Sequence, residues 1–390
     1  MKSPSGVSQR WRWKRRAGPP QQVAGLIEWV PETAPLATGG SRVVARLSRL
    51  SVPAAEAQAL EERATEQMLS PDATSTLPAL DVVIDQLEWR GIPLGRLEVD
   101  AINRQVPMVG VAPVPEWRMT KLRMITPEAQ LSASGNWTAL GAQSAARRPG
   151  GPARLKPRSA FGFTLDLQNS GNLLNRLGLP QTIKGGKGKL TGQVSWLGSP
   201  MEPDPLSMAG DINVQISEGQ FLKVDPGMAK LLGVLSLQSL PRRLTLDFRD
   251  IFQQGFAFDS IDGDVKIGQG QATTHNLRMR GVQAVVLMEG QADLARETQN
   301  LHVYVVPEVN AGGASLAYAA INPVVGLGTF IAQMLLRKQV ADAGTQEFKV
   351  TGPWADPQVE KVNGSKAEGA AAAASSEATS TPVTKPRKPS

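Results

Sequence analysis

Side chains able to do covalent or metal chemistry are sparse in this 390-residue sequence. There are two histidines, His275 and His302, and no cysteine. Both histidines fall in strand patterns with no partner pair beside them. A metal centre or a catalytic triad needs several convergent groups, so neither is expected. Asp259, Asp262 and Asp264 surround Gly263 in a pattern that could be mistaken for a calcium loop. The spacing fails the EF-hand rule, and a turn rich in Asp and Gly explains it. Lys184-Gly-Gly-Lys-Gly-Lys189 lacks the Ser/Thr that follows the lysine of a phosphate-binding loop and opens a helix. Leu190, Gly192, Val194 and Trp196 continue it as a strand, so it reads as a hairpin turn with charged flanks. Arg242-Arg243 and Arg278-Met-Arg280 have two readings, phosphate contacts or solvated strand faces. The sequence contains no nucleophile elbow, no Rossmann loop and no paired catalytic carboxylates. The expectation is a protein that is not an enzyme and carries no metal or cofactor.

Charge excludes another class. The net charge is +7. Residues 1–50 hold nine Lys/Arg and two Glu, also +7, so the remaining 340 residues sum to zero. A high pI carried by one terminal arm, with Trp11-Arg-Trp-Lys-Arg-Arg16 at its centre, is not a basic face on a folded domain, and no nucleic-acid partner is expected. An arm-led nucleic-acid binder would show strongly salt-dependent binding that disappears on deleting residues 1–20. Residues 1–20 read as a disordered arm. No apolar run of signal-peptide length follows them, since Val23 to Ile27 is too short.

The elements that position everything else are strands. Trp29 to Leu50 reads as strand, turn and strand, and Ala54 to Leu69 as a helical linker, giving a first unit over 21–79. From Leu80 the alternation is regular. Val82 and Ile84 lie on one parity and Leu87 and Trp89 on the other, which predicts a bulge between them. A Gly91-Pro93-Gly95 turn leads to Leu97 and Val99. Trp117 to Met124, Ala129 to Trp137, and Phe161, Phe163, Leu165 and Leu167 follow as strands. Ser170 is expected to cap a short helix over Leu173 to Leu177. Leu131 to Trp137, Leu190 to Trp196 and Phe348 to Trp354 each end at Gly and Trp, a weak internal echo.

The stretch from Gly210 to Val306 organises the chain. Ile212, Val214 and Ile216 alternate, as do Leu244, Leu246 and Phe248. Between them Met228, Leu231, Leu232 and Leu235 have helical spacing, with Asp225 as N-cap, Pro226 at the first helical position and Pro241 as the stop. Further strands run to Leu301 to Val305. Val309 to Leu336 contains no charged residue. Its Gly, Asn and Pro content argues against a simple membrane span and for two apolar helices within 312–340. These carry Leu316, Tyr318, Val324, Leu327, Phe330, Ile331 and Leu335. Two readings stay open for them: packing on the sheet, or insertion at a membrane interface. Glu347 to Val350 is a last strand, the sheet domain spans 80–359, and 360–390 reads as disordered.

A run of period-two strands without chemistry must bury its apolar face in a closed sandwich or barrel, against helices, or against a ligand. A resemblance selects among these. Gln220-Phe-Leu-Lys-Val-Asp-Pro-Gly, Leu231-Leu-Gly-Val-Leu-Ser-Leu-Gln-Ser-Leu-Pro-Arg-Arg-Leu and Gly255-Phe-Ala-Phe-Asp-Ser-Ile resemble the C-terminal region of the AsmA-like family, in its YhdP branch. The resemblance implies a mostly β fold with a few helices: a long curved antiparallel sheet forming an open apolar groove. It also implies a periplasmic, envelope-spanning protein anchored in the inner membrane that moves glycerophospholipids toward the outer membrane. This chain would be the C-terminal segment, joined to an upstream part of the same protein. The expected groove residues are Phe161, Phe163, Leu165, Ile212, Val214, Leu244, Leu246, Phe248, Val303 and Val305. The competing expectation is a non-catalytic scaffold assisting outer-membrane assembly or integrity, in which inward positions are filled by other side chains.

Overall fold

Alternating apolar and polar residues put every second side chain on one side of a pleated strand, and here such strands pair in sequence order into one open, curved sheet of sixteen. The structure is a computed structural model that describes residues 9–13, 22–31, 41–60, 77–108, 111–139, 157–201, 203–222, 256–281, 284–307 and 346–362. The strands are β1 (Gln9–Trp13), β2 (Val23–Pro31), β3 (Ser41–Val52), β4 (Ala79–Trp89), β5 (Ile92–Met108), β6 (Val111–Ile125), β7 (Ala129–Ala139), β8 (Pro157–Leu167), β9 (Ile183–Leu197), β10 (Ala209–Phe221), β11 (Phe256–Gly268), β12 (Gln271–Gly281), β13 (Ala284–Asp293), β14 (Thr298–Pro307), β15 (Gln346–Pro353) and β16 (Gln358–Val362). Helix α1 occupies 54–60 and α2 Ser170–Arg176, and a short 3-10 turn covers Pro205–Ser207.

One pair departs from the antiparallel expectation. β3 and β4 are parallel, with Arg42 opposite Ala79 and Val52 opposite Trp89. Parallel neighbours need a crossover connection, and residues 53–78 supply it. The crossover ends against the apolar face: Trp117 Nε1 donates to the Pro78 carbonyl at 3.1 Å and Asn103 Nδ2 to the Leu77 carbonyl at 2.5 Å. The sheet is therefore continuous across residue 80. At its other margin, Gln9–Trp13 of the arm pairs with β2 as an edge strand.

Local signals resolve into specific devices. The register slips between Ile84 and Leu87, where the parity of the apolar residues changes. A second slip between Met119 and Leu122 brings those two side chains to one face despite their three-residue spacing. The β4–β5 turn is shorter than expected, two residues at Arg90 and Gly91 with φ of 54° and 79°, which suits the twist of a hairpin. Pro93 and Gly95 already belong to β5. Two expected turns are strand instead. Lys184 to Lys189 lies inside β9, paired with Gln215 to Gln220. Asp259 to Asp264 lies inside β11, where Asp264 accepts from Asn213 at 2.8 Å and Asn276 at 2.7 Å. The α2 N-cap is Asn169 rather than Ser170, its side chain accepting from the Asn172 amide at 2.9 Å. Ser170 Oγ instead donates to the Gly185 carbonyl at 2.9 Å, tying the helix to β9. The expected helix around Met228 to Leu235 and the apolar helices within 312–340 lie outside the described residues.

Candidate functional site

The register assembles the apolar residues of separate strands into rows. One row runs Leu47, Ile84, Leu97, Met124, Leu131, Leu165, Leu190 and Val214, each directly opposite the next. It crosses the eight strands β3 to β10 without a polar residue. Gly263 of β11 continues it. Beyond a bulge, Leu277, Met288, Val303 and Phe348 extend the line through β12 to β15. A second row, parallel to the first, runs Ala45, Val82, Val99, Leu122, Ala133, Phe163, Gly192, Ile212 and Val265. A third contains Ala101, Met119, Gly135, Phe161 and Val194. With strands ~4.8 Å apart, the eight-strand row is roughly 34 Å long. Three rows two residues apart make the track roughly 14 Å wide.

The expected groove residues can now be placed. Phe161, Phe163, Leu165, Ile212, Val214, Val303 and Val305 all stand on this face. The two phenylalanines face glycines, Phe161 opposite Gly135 and Phe163 opposite Gly192. A Cβ at Gly135 would run into the Phe161 ring, so the absence of a side chain there lets the ring lie down on the sheet. Phe161 also stacks at a tilt on Trp196, ring centres 5.6 Å apart. Leu244, Leu246 and Phe248, and the interface candidates Leu316, Tyr318, Val324, Leu327, Phe330, Ile331 and Leu335, lie outside the described residues.

Burial divides the track into three parts. At the N-terminal end Ala45, Leu47, Ile84 and Leu87 form a buried cluster. At the C-terminal end Phe256, Phe258, Val286, Val303, Val305, Phe348 and Val350 form a larger one, so Val303 and Val305 are filled in by neighbours. Between them Ala101, Trp117, Met119 and Trp137 form a third buried cluster with Phe161 packed against it, while Phe161, Phe163, Leu165, Leu190, Ile212 and Val214 are only half-buried. Trp117, Trp137 and Trp196 close one end of these central strands, opposite Asn103 and Ser159 along a single row. Sequence reasoning found the strands but not this division, because burial depends on what lies above a face.

Across β3 to β6 the opposite face is polar and ion-paired, whereas on β13 it carries the buried pair Val285 and Leu287, with Tyr304 packed against them. Arg46 meets Asp81 at 2.7 Å, and Lys121 and Arg96 meet Glu98 at 2.5 and 2.9 Å. Those two cations hold the Glu98 carboxyl down to about 2, the Lys121 contact contributing most. Arg278 and Arg280 stand on this face, opposite Leu287 and Val285. His302 has a partner that its sequence did not reveal: Nδ1 lies 3.1 Å from Glu347 Oε1. Burial, then Glu347 and Glu289, push the Tyr304 phenol up. A shallow concavity of about 560 Å³ also lies here, with Lys121, Arg123, Ser132, Thr164 and Thr191 in its lining. Among the described residues no group of three or more His, Asp or Glu is placed to hold a metal ion, and no helix is long and apolar enough to cross a membrane.

Comparison with known proteins finds a curated relative and a family. The Intermembrane phospholipid transporter YhdP of Escherichia coli (strain K12) is 34% identical over 168 residues, a segment that makes up 43% of this chain and 13% of that protein. The chain thus corresponds to a small part of its relative's length. No solved structure matches. The family model described as YhdP protein matches residues 9–359, from β1 to the start of β16, and the chain belongs to the YhdP family.

Proposed function

We propose that this chain is a segment of an apolar conduit for phospholipid between the inner and outer membranes of the cell envelope. The observation that carries the reading is the unbroken apolar row across β3 to β10, half-exposed at its centre. Contiguous exposed apolar patches larger than a few hundred Å² are rare on monomeric proteins, and the larger ones mark partner, membrane or ligand sites. Acyl chains suit a track of uniform rows. Each methylene shielded from water contributes ~0.8 kcal/mol wherever along the track it lies. A chain can therefore slide with little change in free energy while its head group stays wet. No bond is made or broken.

A scaffold without cargo is the second reading, and the filled positions Val303 and Val305 favour it at the C-terminal end. The two readings differ at the centre. Mass spectrometry of the purified chain is expected to find co-purifying phospholipid, lost on Phe163→Asp or Leu165→Asp and kept on Thr164→Asp, whose side chain stands on the other face. A stable, lipid-free wild-type chain would remove the conduit reading for this segment.

A further inference from the structure

We propose that the strand-end rim formed by α2 and the start of β9 is a docking surface for an anionic phospholipid bilayer, with Leu177 and Leu179 inserting and Lys184 and Lys187 meeting head groups. The surface itself is independent of the conduit reading; its use for loading the track rests on that reading.

Leu177 is 45% exposed and Leu179 56%. Single exposed leucines are ordinary, but these two sit on a tip built to hold them out. The Leu179 amide donates to the Leu174 carbonyl at 2.9 Å and the Gly178 amide to Asn175 at 3.2 Å, with Gly178 at φ 87°. That is the paired closure of a helix C-terminus in which a left-handed glycine ends the helix. Such a closure commonly turns the residue after the glycine back onto the helix; here Leu179 stays out. The Gln181 amide donates to Asn175 Oδ1 at 3.1 Å and Thr182 Oγ1 to the Leu179 carbonyl at 3.0 Å. Pro180 has no amide to satisfy. The tip therefore needs no ordering on binding, a saving in conformational entropy.

Charge selects the partner. Residues 170–197 contain Arg176, Lys184, Lys187 and Lys189 and no acidic residue. Arg176 is committed to Glu128 and Lys189 to Asp166. The Lys187 contact with Glu218, 3.8 Å long between side chains 66% and 74% exposed, is of the kind that contributes little. One connection of the opposite rim makes the contrast. The β9–β10 connection exposes Met201 at 58% and Leu206 at 70%, yet residues 198–210 contain Glu202 and Asp204 and no cation. An anionic bilayer attracts the α2 tip, and the local charge of the β9–β10 connection disfavours it. The docking tip joins β8 to β9, the strands that carry Phe161, Phe163, Leu165 and Leu190, so lipid leaving the bilayer would meet the half-exposed part of the track.

The chain has no cysteine, so Leu179→Cys and Leu206→Cys each give one site for an environment-sensitive fluorophore. On adding vesicles of phosphatidylethanolamine and phosphatidylglycerol, the label at 179 is expected to shift to the blue and the label at 206 to stay as in water. Leu177→Asp/Leu179→Asp, at exposed positions that leave melting unchanged, is expected to lower vesicle co-sedimentation on the order of tenfold. Lys184→Gln/Lys187→Gln lowers it about fivefold per lysine at low salt, a difference that closes at high salt. An unshifted label at 179 on a chain that sediments with vesicles overturns the proposal, as does wild-type sedimentation of the double aspartate variant. Failure of the conduit reading looks different: the label at 179 inserts, but no lipid crosslinks to position 163.

Discussion

Arg176 grips Glu128 with two parallel hydrogen bonds, Nε to Oε2 at 2.8 Å and Nη2 to Oε1 at 2.7 Å, and with Nη1 it donates to the Pro93 carbonyl at 2.9 Å. One side chain of a seven-residue helix thus ties the β8–β9 connection to the β6–β7 turn and the β4–β5 hairpin. The geometry is the bidentate fork that only arginine offers. Both side chains are largely buried, 21% and 14% exposed, so losing one partner leaves the other poorly solvated. Arg176→Ala is expected to cost about 1.5–3 kcal/mol by denaturant unfolding. Arg176→Lys should recover only part of that loss.

The same pair predicts an acid limb to stability. Arg176 holds the Glu128 carboxyl below its ordinary 4.5. A depressed folded value means that stabilisation is complete above 4.5 and is lost as pH falls through the lower folded value. Glu98, drawn down to about 2 by Lys121 and Arg96, acts in the same direction between 4.5 and 2. Melting temperature should therefore fall from about pH 4.5 downward, and Glu128→Gln should flatten part of that fall. An identical acid profile in the variant would contradict the assignment.

Gly186 supplies a close approach. Its φ is 83°, and a Cβ there would strike Ser170 Oγ, the group that ties α2 to β9. Gly186→Ala is expected to cost about 1–3 kcal/mol from backbone strain alone, read by thermal melting. Gly91→Ala, also at positive φ but with open space around it, should cost less.

The centre and the C-terminal end of the apolar face should respond differently to truncation. Phe256 is 2% exposed within the C-terminal cluster, and Phe256→Ala is expected to cost about 3–5 kcal/mol. Phe163 is half-buried beside Gly192, and Phe163→Ala should cost only about 1–2 kcal/mol in lipid-free protein. Equal losses at the two sites would mean that the centre of the face is packed like its end.

Much of this was legible in the sequence, for a definite reason. Period-two alternation reports which side chains of one strand share a face, so Phe161, Phe163 and Leu165 formed one set and Ile212 and Val214 another, and only the register puts the two sets on one face. The parity change after Ile84 even located a bulge. Pairing partners were not legible. Nothing in Ser41–Val52 or Ala79–Trp89 distinguishes a parallel neighbour from an antiparallel one, since the choice is made by the crossover over 53–78. Gly-rich and Asp-rich segments misled, because glycine serves close strand approach at Gly188 as readily as it serves turns, and Asp264 is satisfied by Asn213 and Asn276 across strands. The bond between His302 and Glu347 was hidden for the same reason. Its two residues are 45 apart in sequence and meet only through the register.

The most direct test of the conduit is a photo-crosslinking scan along one strand, with a benzophenone amino acid placed in turn at positions 161 to 166 of β8. The account predicts phospholipid adducts at 161, 163 and 165 and none at 162, 164 and 166, the period of the strand itself. Adducts at all six positions, or at none while the chain remains folded, would contradict it.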